Sequence, residues 1–119
     1  MTKVLIIEDD LSMRSLLKTL LEIENFQVNV LELNDPVDLV SQIQNSDPDV
    51  ILMDVNLKST DGLAILRQIR HGAPEQKKFR VIMTSGEDKK QECLMAGADE
   101  FLLKPYMPTD LIQKLKLHS

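Results

Sequence analysis

The chain has 119 residues, 43% hydrophobic and 28% charged, which describes one domain of ordinary soluble composition with enough apolar side chains for a core. Its net charge of -5, with no block of lysine or arginine, argues against direct nucleic-acid binding, and no apolar run approaches the ~20 residues of a membrane helix. A single cysteine, Cys93, excludes an internal disulfide and, with no signal-peptide pattern at the start, leads to the expectation of a cytoplasmic protein.

Residues 3–8 read as a buried strand, rich in branched side chains and too short for a helix. From 11 to 24, Met13, Leu16, Leu17, Leu20, Leu21 and Ile23 recur at helical spacing, with Asp10 as the cap. Residues 27–33 form a second strand, mixed with polar residues as suits an edge. Asp35-Pro36 opens a helix to about Asn45, Asp capping and Pro pre-set for the first turn. The third strand is 50–54, and Asp61 caps a helix over 62–70. A polar loop, 72–78, leads to a fourth strand over 80–85. A short helix over 88–96 ends on Gly97, a fifth strand covers 100–103, and a last helix covers 108–117.

Five strands alternating with five helices define an α/β fold with a parallel sheet, and right-handed crossovers place helices on both faces. The most apolar strands, the first and third, belong at the centre and the second at an edge. That matches the doubly wound order 2-1-3-4-5, with its switch point between strands one and three. The strands end on polar groups: Glu8-Asp9-Asp10 after the first, Asp54 on the third, Thr84-Ser85-Gly86 on the fourth, Lys104-Pro105 after the fifth. Carboxyl ends of parallel strands are where ligands bind.

Glu8, Asp9 and Asp54 brought within a few ångströms repel by about 4 kcal/mol per close pair at an effective dielectric near 20. Such a group takes up a proton or recruits a cation. Oxygen donors suit Mg2+, and no His/Cys cluster suggests zinc. Asp9, Asp54 and Glu8, with a backbone carbonyl from the next loop, are the expected magnesium seat. Phosphoryl transfer needs positioned charge, and a carboxylate serves as nucleophile. Asp54 would accept the phosphoryl group, Lys104 pair with one of its oxygens and Ser85 donate to another, while Gly86 leaves room.

These motifs, together with Arg14, Asp61-Gly62 and Gly97-Ala98-Asp99, make the whole chain resemble the receiver domain of bacterial response regulators. The resemblance implies a flavodoxin-like (βα)5 fold and a single receiver domain over 1–119, with any output domain or downstream target outside this chain. It places the acid pair on Glu8 and Asp9, the phospho-acceptor on Asp54 and the metal-binding carbonyl on Asn56. The conserved-type lysine falls on Lys104, followed by what in the family is often a cis peptide to Pro105. The switch hydroxyl falls on Ser85 and the aromatic that swings with it on Phe101. Thr84 is the alternative hydroxyl; Ser85 is preferred because the small Gly86 follows it. The chain departs from the family in having Lys58 where proline is usual.

The implied activity is a phospho-accepting switch, with a sensor histidine kinase or phosphotransfer protein as donor and Mg2+ as cofactor. Phosphorylation would reshape the surface of the fourth helix, fifth strand and fifth helix, without turnover of an external substrate. Two other classes are the alternatives: a receiver-like binding module that is never phosphorylated, and a magnesium phosphatase. The intact acid pair, Asp54 and Lys104 argue against the first; Asn56, where such phosphatases carry a second acid, argues against the second. An acidic first loop argues against a flavin phosphate. Lys89-Lys90-Gln91-Glu92 reads as a solvated face, with a phosphorylation-linked dimer as the alternative, and Cys93 as a packing residue.

Overall fold

The computed structural model describes residues 2–31, 39–58, 60–72 and 79–116. The apolar runs pair as five parallel strands: β1 (Lys3–Ile7), β2 (Gln27–Val30), β3 (Val50–Asp54), β4 (Arg80–Ser85) and β5 (Glu100–Leu103). Their order is β2-β1-β3-β4-β5, as expected, with β2 at an edge. The helices are α1 (Leu11–Ile23), α2 (Leu39–Ser46), α3 (Gly62–Gly72), α4 (Lys90–Met95) and α5 (Pro108–Lys116).

Successive strand residues point to opposite faces, and the core divides accordingly. Leu5, Ile7, Ile51, Met53, Val81 and Met83 pack with Ile43 of α2, Leu66 of α3 and Cys93 of α4. Val4, Ile6, Val50, Leu52, Ile82 and Leu102 pack with Leu17 and Leu21 of α1 and Leu111 and Leu115 of α5. Because both faces are covered, β3 is buried along its whole length. That is why it reads as a continuous apolar run rather than an alternating one.

Differences from the expected boundaries have local causes. The first strand stops one residue early, at Ile7, where Glu8 turns toward the site. β2 ends at Val30, although the Leu31 amide still donates to Ile6 O at 3.0 Å; residues 32 and 33 lie outside the described residues. So do the expected Asp35-Pro36 helix start, most of the 72–78 loop and the end of the last helix. α4 begins at Lys90 because Asp88 Oδ1 accepts from the Lys90 amide at 3.3 Å and holds the preceding residues in a turn. The caps are those expected: Asp10 Oδ1 accepts from Met13 N at 3.0 Å, and Asp61 Oδ1 from Leu63 N at 3.0 Å.

At the end of the sheet away from the acids, Arg70 ties three elements together. Its guanidinium donates to Gly97 O at 2.8 Å, Phe79 O at 2.6 Å and Asp99 Oδ2 at 3.0 Å. The same Asp99 oxygen accepts from Val81 N at 2.8 Å. Gly97 is required on two counts. Its φ is +110°, and a Cβ there would sit 2.8 Å from Arg70 Cγ. Arg70→Ala leaves two carbonyls and a carboxylate without this donor and is expected to cost about 2–3 kcal/mol in urea unfolding. Arg70→Lys restores little of it, since an ammonium cannot reproduce the planar fork.

Candidate functional site

The strand order brings the carboxyl ends of β1, β3, β4 and β5 to one rim of the sheet. Asp54 is the last residue of β3, and Glu8 follows β1; both are buried. Lys104, just past β5, reaches across β4 to both of them. Its ammonium lies 2.7 Å from Asp54 Oδ2 and 3.3 Å from Glu8 Oε1. The base of the side chain is fixed because the Lys104 amide donates to Ser85 O at 2.8 Å. The Lys104-Pro105 peptide is cis. Burial works against the charge on Lys104, but the hydrogen bond to Asp54 and the charges of Glu8 and Asp54 outweigh it. Its pKa is held above the ordinary 10.5.

The remaining carboxylate oxygens have donors of their own. Asp54 Oδ1 accepts from the Asn56 amide at 2.9 Å, and Glu8 Oε2 from the Asp10 amide at 3.2 Å. Asp9, half-buried, accepts on Oδ2 from the backbone amide of Lys58. Among the described residues no three His, Cys, Asp or Glu side chains stand in a ready metal-binding group. The donor chemistry nonetheless fits a hard divalent cation. Glu8, Asp9 and Asp54 against one Lys104 leave a formal charge of -2, and the carboxylates offer only oxygen.

Of the two candidate hydroxyls, it is Ser85 that meets the loop after Asp54. Its Oγ accepts from Asn56 Nδ2 at 3.2 Å and from the Glu87 amide at 3.1 Å, and the residue is fully buried. Thr84 is the strand-register partner of Asp54, and its carbonyl accepts from Val55 N at 2.9 Å. A Cβ at Gly86 would meet nothing within 4 Å, so no steric contact requires glycine there. Phe101 is half-buried on β5, packed against the layer that holds α2, α3 and α4. Asp10 is exposed and serves as the α1 cap, outside the cluster.

Three contributors escaped the sequence reading. A Cβ on Gly62 would lie 2.2 Å from Asp54 O, so glycine alone lets α3 start against the end of β3. The Asp61-Gly62 pair was visible, but not this reason for it. The Asn56 side chain links Asp54's loop to Ser85, and nothing in sequence signals that contact. Tyr106 lies near the cluster: burial pushes its phenol pKa up, Lys104 lowers it, and Glu8 and Asp54 raise it further.

Residues 4–116 match the response regulator receiver domain. The chain is 30% identical over 118 residues to the transcriptional regulatory protein ResD of Bacillus subtilis, covering 97% of this chain and 47% of ResD. It is 26% identical to the chemotaxis protein CheY of Listeria monocytogenes, covering 98% of this chain and 97% of that one. In structure it is similar to Vibrio cholerae chemotaxis protein CheY4, with a TM-score of 0.84 and 28% identity over 100% of this chain and 99% of that chain. The chain thus spans about half of the transcriptional relative and nearly all of the chemotaxis relatives. The fold and the acid-lysine rim define a phospho-accepting signalling module of two-component systems. The chain belongs to the response regulator receiver domain family.

Because the pKa of Lys104 is raised, its contribution to stability is fully present below pH 10.5 and is lost as pH rises through its folded value. Lys104→Met is expected to cost about 1–2 kcal/mol near pH 8, and the gap to the wild type to close as pH climbs past 10.5. Denaturant unfolding of both proteins across pH 8–11 measures it. Burial, with the charge of Glu92, pushes the Cys93 thiol up to about 11, so both proteins lose stability from pH 9 upward by that route. That loss cancels in the difference; the contribution of Tyr106, whose raised pKa Lys104 lowers, does not, so the comparison is made with Tyr106→Phe in both proteins.

Proposed function

We propose that Asp54 is the phospho-acceptor of this receiver domain. The observation that carries the reading is the single ammonium of Lys104 shared between Asp54 and Glu8 at the carboxyl end of the sheet. It holds Glu8 and the nucleophile together at a rim where their mutual repulsion would otherwise be large. An Asp54 carboxylate oxygen attacks phosphorus, the bond from phosphorus to the donor breaks, and the donor leaves with that electron pair. Lys104 then follows the charge to a phosphoryl oxygen. Ser85, already held by Asn56, offers its hydroxyl to another.

Magnesium use is general in this family. Glu8, Asp9 and Asp54, with the carbonyl of Asn56, are the residues that would hold Mg2+ here. When bound, it supplies positive charge that offsets the negative charge of the acids and the incoming phosphoryl oxygens.

Drawing Ser85 toward the phosphoryl group and repacking Phe101 would shift the domain between two states. The reader would be the surface of α4, β5 and α5. The donor is a sensor histidine kinase or a phosphotransfer protein, and the reader a downstream target or output domain outside this chain, in the cytoplasm. We assign residues 1–119 to one receiver domain with no turnover of an external substrate. The surface also accommodates the alternative of a phosphorylation-linked dimer.

Incubation with Mg2+ and acetyl phosphate is expected to add one phosphoryl group by intact mass, and Asp54→Asn to abolish the addition. An unmodified wild-type protein would return the chain to the class of unphosphorylated binding modules.

A further inference from the structure

The loop after β3 crosses the rim and closes on the first acidic turn: the Lys58 amide donates to Asp9 Oδ2 across 49 residues of sequence. This contact differs in kind from the others in the cluster. The Asn56 amide on Asp54 and the Asp10 amide on Glu8 act within their own turns, each two residues away. Lys104 reaches the acids through its side chain. Among the described residues, the Lys58 bond joins the loop after β3 to the turn after β1 through a backbone amide, and it occupies an oxygen of a residue assigned to the magnesium seat.

We propose that the Lys58 backbone N–H is an internal latch on Asp9 that competes with divalent cation for that carboxylate. The inference rests on the assignment of Glu8, Asp9 and Asp54 to Mg2+. In the latched state the carboxylate oxygens named above have protein donors: Asp9 from Lys58, Glu8 from Asp10 and Lys104, Asp54 from Asn56 and Lys104. A cation that takes Oδ2 of Asp9 must break a charge-assisted hydrogen bond whose donor is part of the main chain. Binding through that oxygen is therefore coupled to release of Lys58 from the acidic turn. The latch lowers the affinity for the cation and makes the position of residue 58 report whether the seat is filled. The side chain of Lys58 is exposed and takes no part; the device resides in the amide.

Two substitutions separate amide from side chain. Lys58→Ala removes the charge and keeps the N–H, whereas Lys58→Pro removes both. Titration of each with magnesium chloride alone, followed by calorimetry and by the NMR shifts of residues 8, 9 and 54, is expected to show Lys58→Pro binding about tenfold tighter than Lys58→Ala. Equal affinities overturn the latch while leaving the magnesium seat standing. Absence of binding by the wild type and both variants overturns the seat and the latch with it. Should Lys58→Pro not fold, amide exchange in the wild type decides: the Lys58 amide should exchange about tenfold faster at saturating Mg2+ than without it. An unchanged rate overturns the proposal.

Discussion

Everything at the functional rim is organised by an excess of negative charge that the fold itself creates. The sheet order makes β1 and β3 neighbours, so the acids that end them are forced together. Lys104 answers from β5, on the far side of β4, and only a long side chain can span that gap. The ordering of four strands and the hydrogen bond that fixes the Lys104 backbone to Ser85 both bear on where one ammonium sits. One positive charge against three carboxylates leaves a shortfall that suits a divalent ion, and the same shortfall makes the rim responsive to any change in charge.

That responsive rim is mounted on a rigid frame. The start of α3 is pressed against the end of β3 so closely that only Gly62 fits, and the Gly62 amide donates to Val55 O at 2.9 Å. At the opposite end Arg70 joins α3 to the segment before β4 and to the turn between α4 and β5. α3 is thus held at both ends, while the loop between β3 and α3 is tied to the acids by backbone amides.

Much of this was legible in the sequence, for identifiable reasons. Buried parallel strands show as short apolar runs, and β3, β4 and β5 matched their expected bounds to the residue. Asp54, Glu8 and Lys104 stood out because a polar residue closing an apolar run marks a strand end. Hidden were the contacts made by backbone atoms or by residues whose type is unremarkable. The Lys58 amide acts without regard to its side chain, and Asn56 looks like any loop asparagine. Arg70 lay on the polar face of a helix and gave no sign of its three acceptors. The choice between Thr84 and Ser85 rested on the neighbouring glycine, and the Asn56 contact supplies a geometric reason for it.

The division of the core into two layers has a mechanical consequence. Phe101 lies with Met83, Cys93 and the helices α2, α3 and α4, while α1 and α5 close the other face through Val4, Leu17, Leu111 and Leu115. The sheet between them acts as a bulkhead. In the proposed switch, repacking of Phe101 acts directly on the layer carrying α4 and reaches α5 only through β5. The change would therefore enter the read surface from one side of the sheet and leave the wall carrying α1 as it was.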